Sequence, residues 1–130
     1  MKFNNSAAQR KIIKFVKNSL KPITVKSGKC RYNYKCQMNA VHEALNKGHK
    51  KLAMCMVVDG NWTYIHFINY KKGKFTDNTL GRWSETNDYY FVKWIYGEDY
   101  FQINSIFTDY QEYLDLQLGW WLRLTSNETF

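Results

Sequence analysis

Leu52 to Val58 is an unbroken run of seven apolar residues that stops at Asp59-Gly60. A short run closed by a turn signal suits a central strand better than a helix. After the turn, Thr63 to Tyr70 alternates, with Tyr64, His66, Ile68 and Tyr70 on one face and Ile65, Phe67 and Asn69 on the other. Lys71-Lys72-Gly73 then turns the chain into Lys74 to Asp77. Three extended runs joined by short turns predict an antiparallel meander. The rest of the chain has to be built on that sheet.

Upstream, Ser6 and Gln9 have the spacing of a capping box, and Ile12, Ile13, Val16 and Leu20 recur at helical spacing until Pro22. This predicts a first helix from about Ala7 to Leu20, with Arg10, Lys14, Lys17 and Lys21 on its outer side. Ile23 to Val25 reads as a short extended piece. A second helix is expected from about Lys35 to Asn46, with Met38, Val41 and Leu45 on the packed side, small Ala40 and Ala44 allowing close approach, and Gly48 as its stop.

Downstream, Thr79 to Asp88 reads as a loop carrying Trp83, Tyr89 to Tyr96 as a strand and Tyr100 to Ile103 as a last strand. Asn104 or Ser105 then caps a third helix with Phe107, Tyr110, Leu114 and Leu118 inward and Asp109, Glu112 and Asp115 outward. Leu116 to Leu124 fits either period. The expectation is one α+β domain over residues 1–130, with helices packed on an antiparallel sheet of four to five strands.

No apolar run approaches the length of a membrane span, and the first residues lack the apolar stretch of a secretory signal, so a cytoplasmic location is expected. The three cysteines, Cys30, Cys36 and Cys55, cannot all pair with one another, and a reducing compartment would leave them as thiols. Charge is uneven. Residues 1–51 carry eleven Lys and two Arg against one acid, Glu43, whereas the remainder has six basic and ten acidic residues. Such asymmetry is the footprint of contact with nucleic acid, an acidic protein surface or anionic lipid, or equally of a solvated face that aids solubility.

Cys36 opens the second predicted helix, His66 lies in a strand and Asp77 follows the next strand. A thiol becomes a strong nucleophile as the thiolate, which a helix N-terminus and a neighbouring imidazolium both favour. His66 would supply the imidazolium and carry protons, while Asp77 would hold its ring in one orientation. Taken singly, each of the three has an ordinary packing or turn explanation. Their order on suitable elements is what points to a catalytic triad.

That order resembles the papain-like and transglutaminase-like cysteine enzymes. The resemblance runs from about Tyr34 to Gly81 and rests on Cys36, on His66-Phe67-Ile68-Asn69 and on Phe75-Thr76-Asp77-Asn78-Thr79. It implies a minimal core of that superfamily, with Cys36, His66 and Asp77 catalytic. The upstream Gln or Trp that helps bind the oxyanion in relatives has no clear counterpart, so Asn33 or the Cys36 backbone N–H is the expected donor, with Asn39 and Trp83 supporting the site. Cys30, Cys36 and His42 lack zinc-ligand spacing, and neither metal nor cofactor is expected.

The function expected is that of a small cysteine hydrolase or acyltransferase acting on an amide bond of a protein or peptide, as a protease, deamidase or transglutaminase-like enzyme. The rival is a basic, aromatic-rich binding module or inhibitor, on an inactive hydrolase scaffold in one version. It would contact nucleic acid or an acidic protein through Arg10, Lys14, Lys17, Lys21, Lys26 and Lys29.

Overall fold

The computed structural model describes residues 6–29, 35–46, 51–120, 122 and 130. Its elements are α1 (Ser6–Ser19), β1 (Lys21–Ile23), β2 (Val25–Ser27), α2 (Cys36–Asn46), β3 (Lys51–Asp59), β4 (Trp62–Lys71), β5 (Lys74–Asp77), β6 (Asp88–Ile95) and α3 (Ile103–Gln117). Two 3₁₀ segments, Gly81–Thr86 and Gly97–Gln102, flank β6. The class is α+β, and no described helix is long and apolar enough to cross a membrane.

The sheet has six strands rather than four or five, in the order β1-β6-β3-β4-β5-β2. The added strands come from the piece around Pro22, Lys21 to Ser27. It splits at Thr24, so that β1 pairs antiparallel with β6 and β2 pairs parallel with β5. One stretch of chain therefore forms both ends of the order, and the sheet curls round to meet it. The parallel pairing departs from the all-antiparallel expectation, which considered only strands joined by tight turns.

Gly28, just past β2, makes the parallel contact tight. Its N–H donates to the Asp77 carbonyl at 2.9 Å. A Cβ there would run into the Asn78 side-chain oxygen, and even its gap to Thr76 Cγ2 would be 2.6 Å. At the β3–β4 turn, Gly60 supplies a φ of +59° that few other residues adopt.

β3 is unbrokenly apolar because both of its faces are covered. On one side Leu52, Met54, Met56 and Val58, with Ile65 and Phe67 of β4, pack beneath Ala8, Ile12 and Val16 of α1, Leu114 of α3 and Leu118 just past its end. On the other, Ala53, Cys55, Val57, Ile68 and Tyr89 form a second cluster with Phe75, Phe91 and Trp94 inside the curl. Cys55 lies there fully buried, in register with His66 across the β3–β4 ladder. Lys11 Nζ donates to the Leu118 carbonyl at 2.9 Å, tying α1 to the C-terminal end of α3, where helical carbonyls lack partners.

Several local expectations are corrected. Gln9, read as part of a capping box, uses its Oε1 to accept the Thr63 backbone N–H at 2.7 Å, a bond that anchors the start of β4 on α1. Tyr100 to Ile103 forms no strand, because Gly97–Gln102 winds as a 3₁₀ segment straight into α3. That helix starts at Ile103, before Asn104 and Ser105, with Gln102 at the cap position and no side-chain cap bond. Thr79 to Asp88 holds the 3₁₀ turn that carries Trp83 rather than an irregular loop.

The largest correction concerns α2. Met38 and Leu45, expected to pack, are 60% and 67% exposed. The buried face is Cys36, Asn39, Ala40 and Glu43, the same helical period rotated toward polar residues. These polar groups are paired: Asn39 bonds Thr79, and the Glu43 carboxylate lies 3.4 Å from Lys29 Nζ. Gly48 lies outside the described residues.

Candidate active site

β5 pairs only with residues 69–71 of β4. The edge of β4 beside His66 is thereby left to the chain just after β5 and to the start of α2. Asp77 ends β5 where it must turn away, and Cys36 opens α2 above the same gap. Sheet register and helix placement, not sequence proximity, bring the three side chains together.

Asp77 is fully buried and each of its carboxylate oxygens accepts two bonds. Oδ1 accepts the backbone N–H groups of Thr79 and Leu80, both at 2.9 Å. Oδ2 accepts His66 Nε2–H at 2.8 Å and the Tyr89 hydroxyl at 2.6 Å. Burial would raise the Asp77 pKa, but the bonds from His66, the His66 charge and the Tyr89 hydroxyl outweigh it and hold the carboxyl down at about 2. Tyr89, buried against that carboxylate, has its own pKa raised, so it stays a hydroxyl donor.

His66 is buried between Tyr64 and Tyr89, with ring centroids 6.0 and 6.4 Å away. Burial alone would push its pKa down. The Cys36 sulfur, by charge and hydrogen bond, and the Asp77 carboxylate reverse this and raise it to about 10. With Nε2 committed to Asp77, the other ring nitrogen is the one left for the Cys36 sulfur. The ring thus bridges a fixed anion and a thiol.

Cys36 is buried yet borders a cleft, and its Sγ lies 3.2 Å from Gln37 Oε1. Its backbone N–H falls in the first turn of α2, where the helix itself supplies no acceptor. The cleft, about 480 Å³, is walled by Tyr64, Leu80, Trp83 and Phe107 around Cys36 and His66. A neighbouring hollow of about 340 Å³ shares Asp59, Tyr64, Leu80 and Trp83 as walls.

A polar frame fixes these parts relative to one another. Asn39 Nδ2 donates to Thr79 Oγ1 at 3.0 Å, Asn69 Nδ2 to the Ala40 carbonyl at 2.9 Å, and Asn78 Nδ2 to Asn69 Oδ1 at 3.0 Å. Asn78 Oδ1 in turn accepts the Lys29 backbone N–H at 3.3 Å. α2, β4 and the turn after β5 are locked together by side-chain amides, each bonded where water is excluded.

Of the residues singled out from the sequence, Cys36, His66 and Asp77 meet in one site. Asn39 supports that site through Thr79 without reaching the sulfur, and Trp83 stands in the cleft wall, 55% exposed. Asn33 lies outside the described residues. Arg10, Lys14, Lys17, Lys21, Lys26 and Lys29 are all exposed and none lines the cleft. Sequence reasoning missed Tyr89, one of ten tyrosines with nothing local to mark it, and Asp59, which reads only as a turn residue. Among the described residues no cluster of three or more His, Cys, Asp or Glu side chains is placed to hold a metal ion. No protein-family model, no curated protein and no solved structure matches the chain.

Proposed function

We propose that the protein is a cysteine-dependent enzyme acting on an amide bond of a protein or peptide, with Cys36 as nucleophile, His66 as proton carrier and Asp77 as the group orienting His66. The observation that carries this reading is the line from the Asp77 carboxylate through the His66 ring to the Cys36 sulfur, opening on a cleft. The papain-like and transglutaminase-like resemblance has the same roles in the same order.

The Cys36 thiolate adds to the substrate carbonyl carbon, and the electron pair of the C=O bond moves to oxygen beside the Cys36 N–H. As the C–N bond breaks, the imidazolium of His66 gives its proton to the leaving amine, and a thioester remains. Water, or a second amine, attacks the thioester while neutral His66 takes its proton, and the thiolate leaves. Hydrolysis, deamidation and acyl transfer differ only in the leaving group and the acceptor.

The test is the alkylation rate of each cysteine against pH, followed by mass spectrometry in the native protein and in His66→Ala. Selective, rapid modification of Cys36 at mildly acidic pH, lost in His66→Ala, is expected. Protection of Cys36, or an ordinary thiol profile unchanged in His66→Ala, overturns the reading.

A second reading, a basic module that binds nucleic acid or an acidic protein, is favoured by the exposure of all six basic residues named above. It calls for binding that weakens steeply with salt. Binding of duplex and single-stranded nucleic acid that is absent at low salt counts against its nucleic-acid form.

A further inference from the structure

We propose that the cleft beside Cys36 receives a polypeptide segment bearing a cationic side chain, whose ammonium or guanidinium group is held by the Asp59 carboxylate against Trp83; this rests on the triad reading above. Asp59 ends β3 and lines both the reaction cleft and the adjoining hollow. Among the described residues its carboxylate has no ion-pair or hydrogen-bond partner. Among the described residues it is the one acidic side chain in the cleft wall and no Lys or Arg lines that cleft, while Arg82 borders the neighbouring hollow. On a chain of net charge +8, this is a local reversal of sign at the place where substrate must enter.

The remaining wall suits the same ligand. Trp83 presents an indole to the cleft, and an aromatic face beside a carboxylate is a site for an ammonium or guanidinium. Tyr64, Leu80 and Phe107 offer apolar surface for the methylene stem of Lys or Arg. An acidic side chain in the same position would face the like charge of Asp59. The cleft and the hollow share a wall, so together they form a trough suited to several residues of extended chain rather than to a lone amine.

The experiment compares peptidyl acyloxymethyl ketones that carry Lys, norleucine or Glu at each of the two positions nearest the warhead. Second-order rates of Cys36 modification are read by intact mass at low ionic strength, with iodoacetamide on wild type and His66→Ala as the control for the triad. In wild type, Lys is expected to exceed norleucine by roughly fivefold at one position, as for a partly exposed ion pair, with Glu slowest. Asp59→Asn is expected to bring the Lys-to-norleucine ratio to about one, and Asp59→Lys to invert the order of Lys and Glu. Equal Lys and norleucine rates in wild type, or a preference that survives in Asp59→Asn, overturn the inference while His66-dependent iodoacetamide labelling leaves the triad standing. Loss of that His66 dependence overturns both.

Discussion

Cys36 and Cys55 are both buried and both lie near His66, yet their surroundings differ in every respect that governs thiol chemistry. Cys55 sits mid-strand inside the curl of the sheet, its Sγ 3.5 Å from the His66 carbonyl, not from the ring. Burial, then the charges of Asp77 and Cys36, push its pKa well up, which keeps it a neutral thiol. Cys36 opens a helix, touches the imidazole side of His66 and borders the cleft. Burial alone does not separate a structural cysteine from a reactive one; what distinguishes them is which groups surround the sulfur and whether a substrate can reach it.

The sharpest test of the contrast is to remove each sulfur in turn. Cys36→Ala should abolish turnover and His66-dependent alkylation with the fold intact. Cys55→Ala should keep both and lose about 1 kcal/mol of stability in urea unfolding, because a small gap opens in a packed interior. Rapid labelling of Cys55 in the native protein would erase the distinction.

Asp77→Ala should be the most damaging to the fold. It leaves the His66 ring, the Tyr89 hydroxyl and two backbone N–H groups without their acceptor, and removing one member of a buried pair costs about 3–5 kcal/mol. A loss below about 1 kcal/mol in denaturant titration would show that water replaces the carboxylate and that the site is open.

The pH dependence follows from the two shifted groups. His66 is raised from 6.5 to about 10, so its contribution to stability is complete below pH 6.5 and is lost as pH climbs through about 10. Asp77 is lowered from 3.8 to about 2, so its contribution is complete above pH 3.8 and is lost as pH falls through about 2. The stability difference between wild type and a variant lacking the pair should therefore peak between these limits, at mildly acidic pH. Imidazole NMR should find His66 protonated at pH 8 and its pKa lower in Cys36→Ala, since the sulfur is the largest of the groups that raise it.

Tyr89→Phe is the mildest of these tests. It removes one of the two bonds to Asp77 Oδ2 and keeps the ring, so about 1 kcal/mol of stability should go. The imidazole resonance should shift as Asp77 binds His66 with less competition, which a purely structural hydroxyl would not cause.

Cys36, His66 and Asp77 could be singled out from the sequence because each lies on a local pattern that the sequence states: a helix start, an alternating strand and a turn after a strand. Tyr89 was not, because its role depends on β6 pairing with β3 rather than on any neighbour in sequence. The packed face of α2 was misplaced for a related reason. Apolar residues normally mark the buried side, but here Asn39 and Glu43 are buried with their partners while Met38 and Leu45 face outward. Likewise the split of one short stretch at Thr24 into two strands is decided by distant partners, Phe91 for Lys21 and Phe75 for Val25.

That split also decides what lies at the edges of the sheet. A sheet edge with free N–H and C=O groups is a template on which another chain can add, the route to fibrils and precipitates. Here both ends of the strand order are three-residue pieces, and the long, apolar β3 is flanked by β4 and β6. Pro22 occupies one of those pieces and withholds a donor, while Lys21 and Lys26 set exposed charge along them. Part of the basic N-terminal sequence thereby gives the sheet short, charged ends, which are poor templates for strand addition.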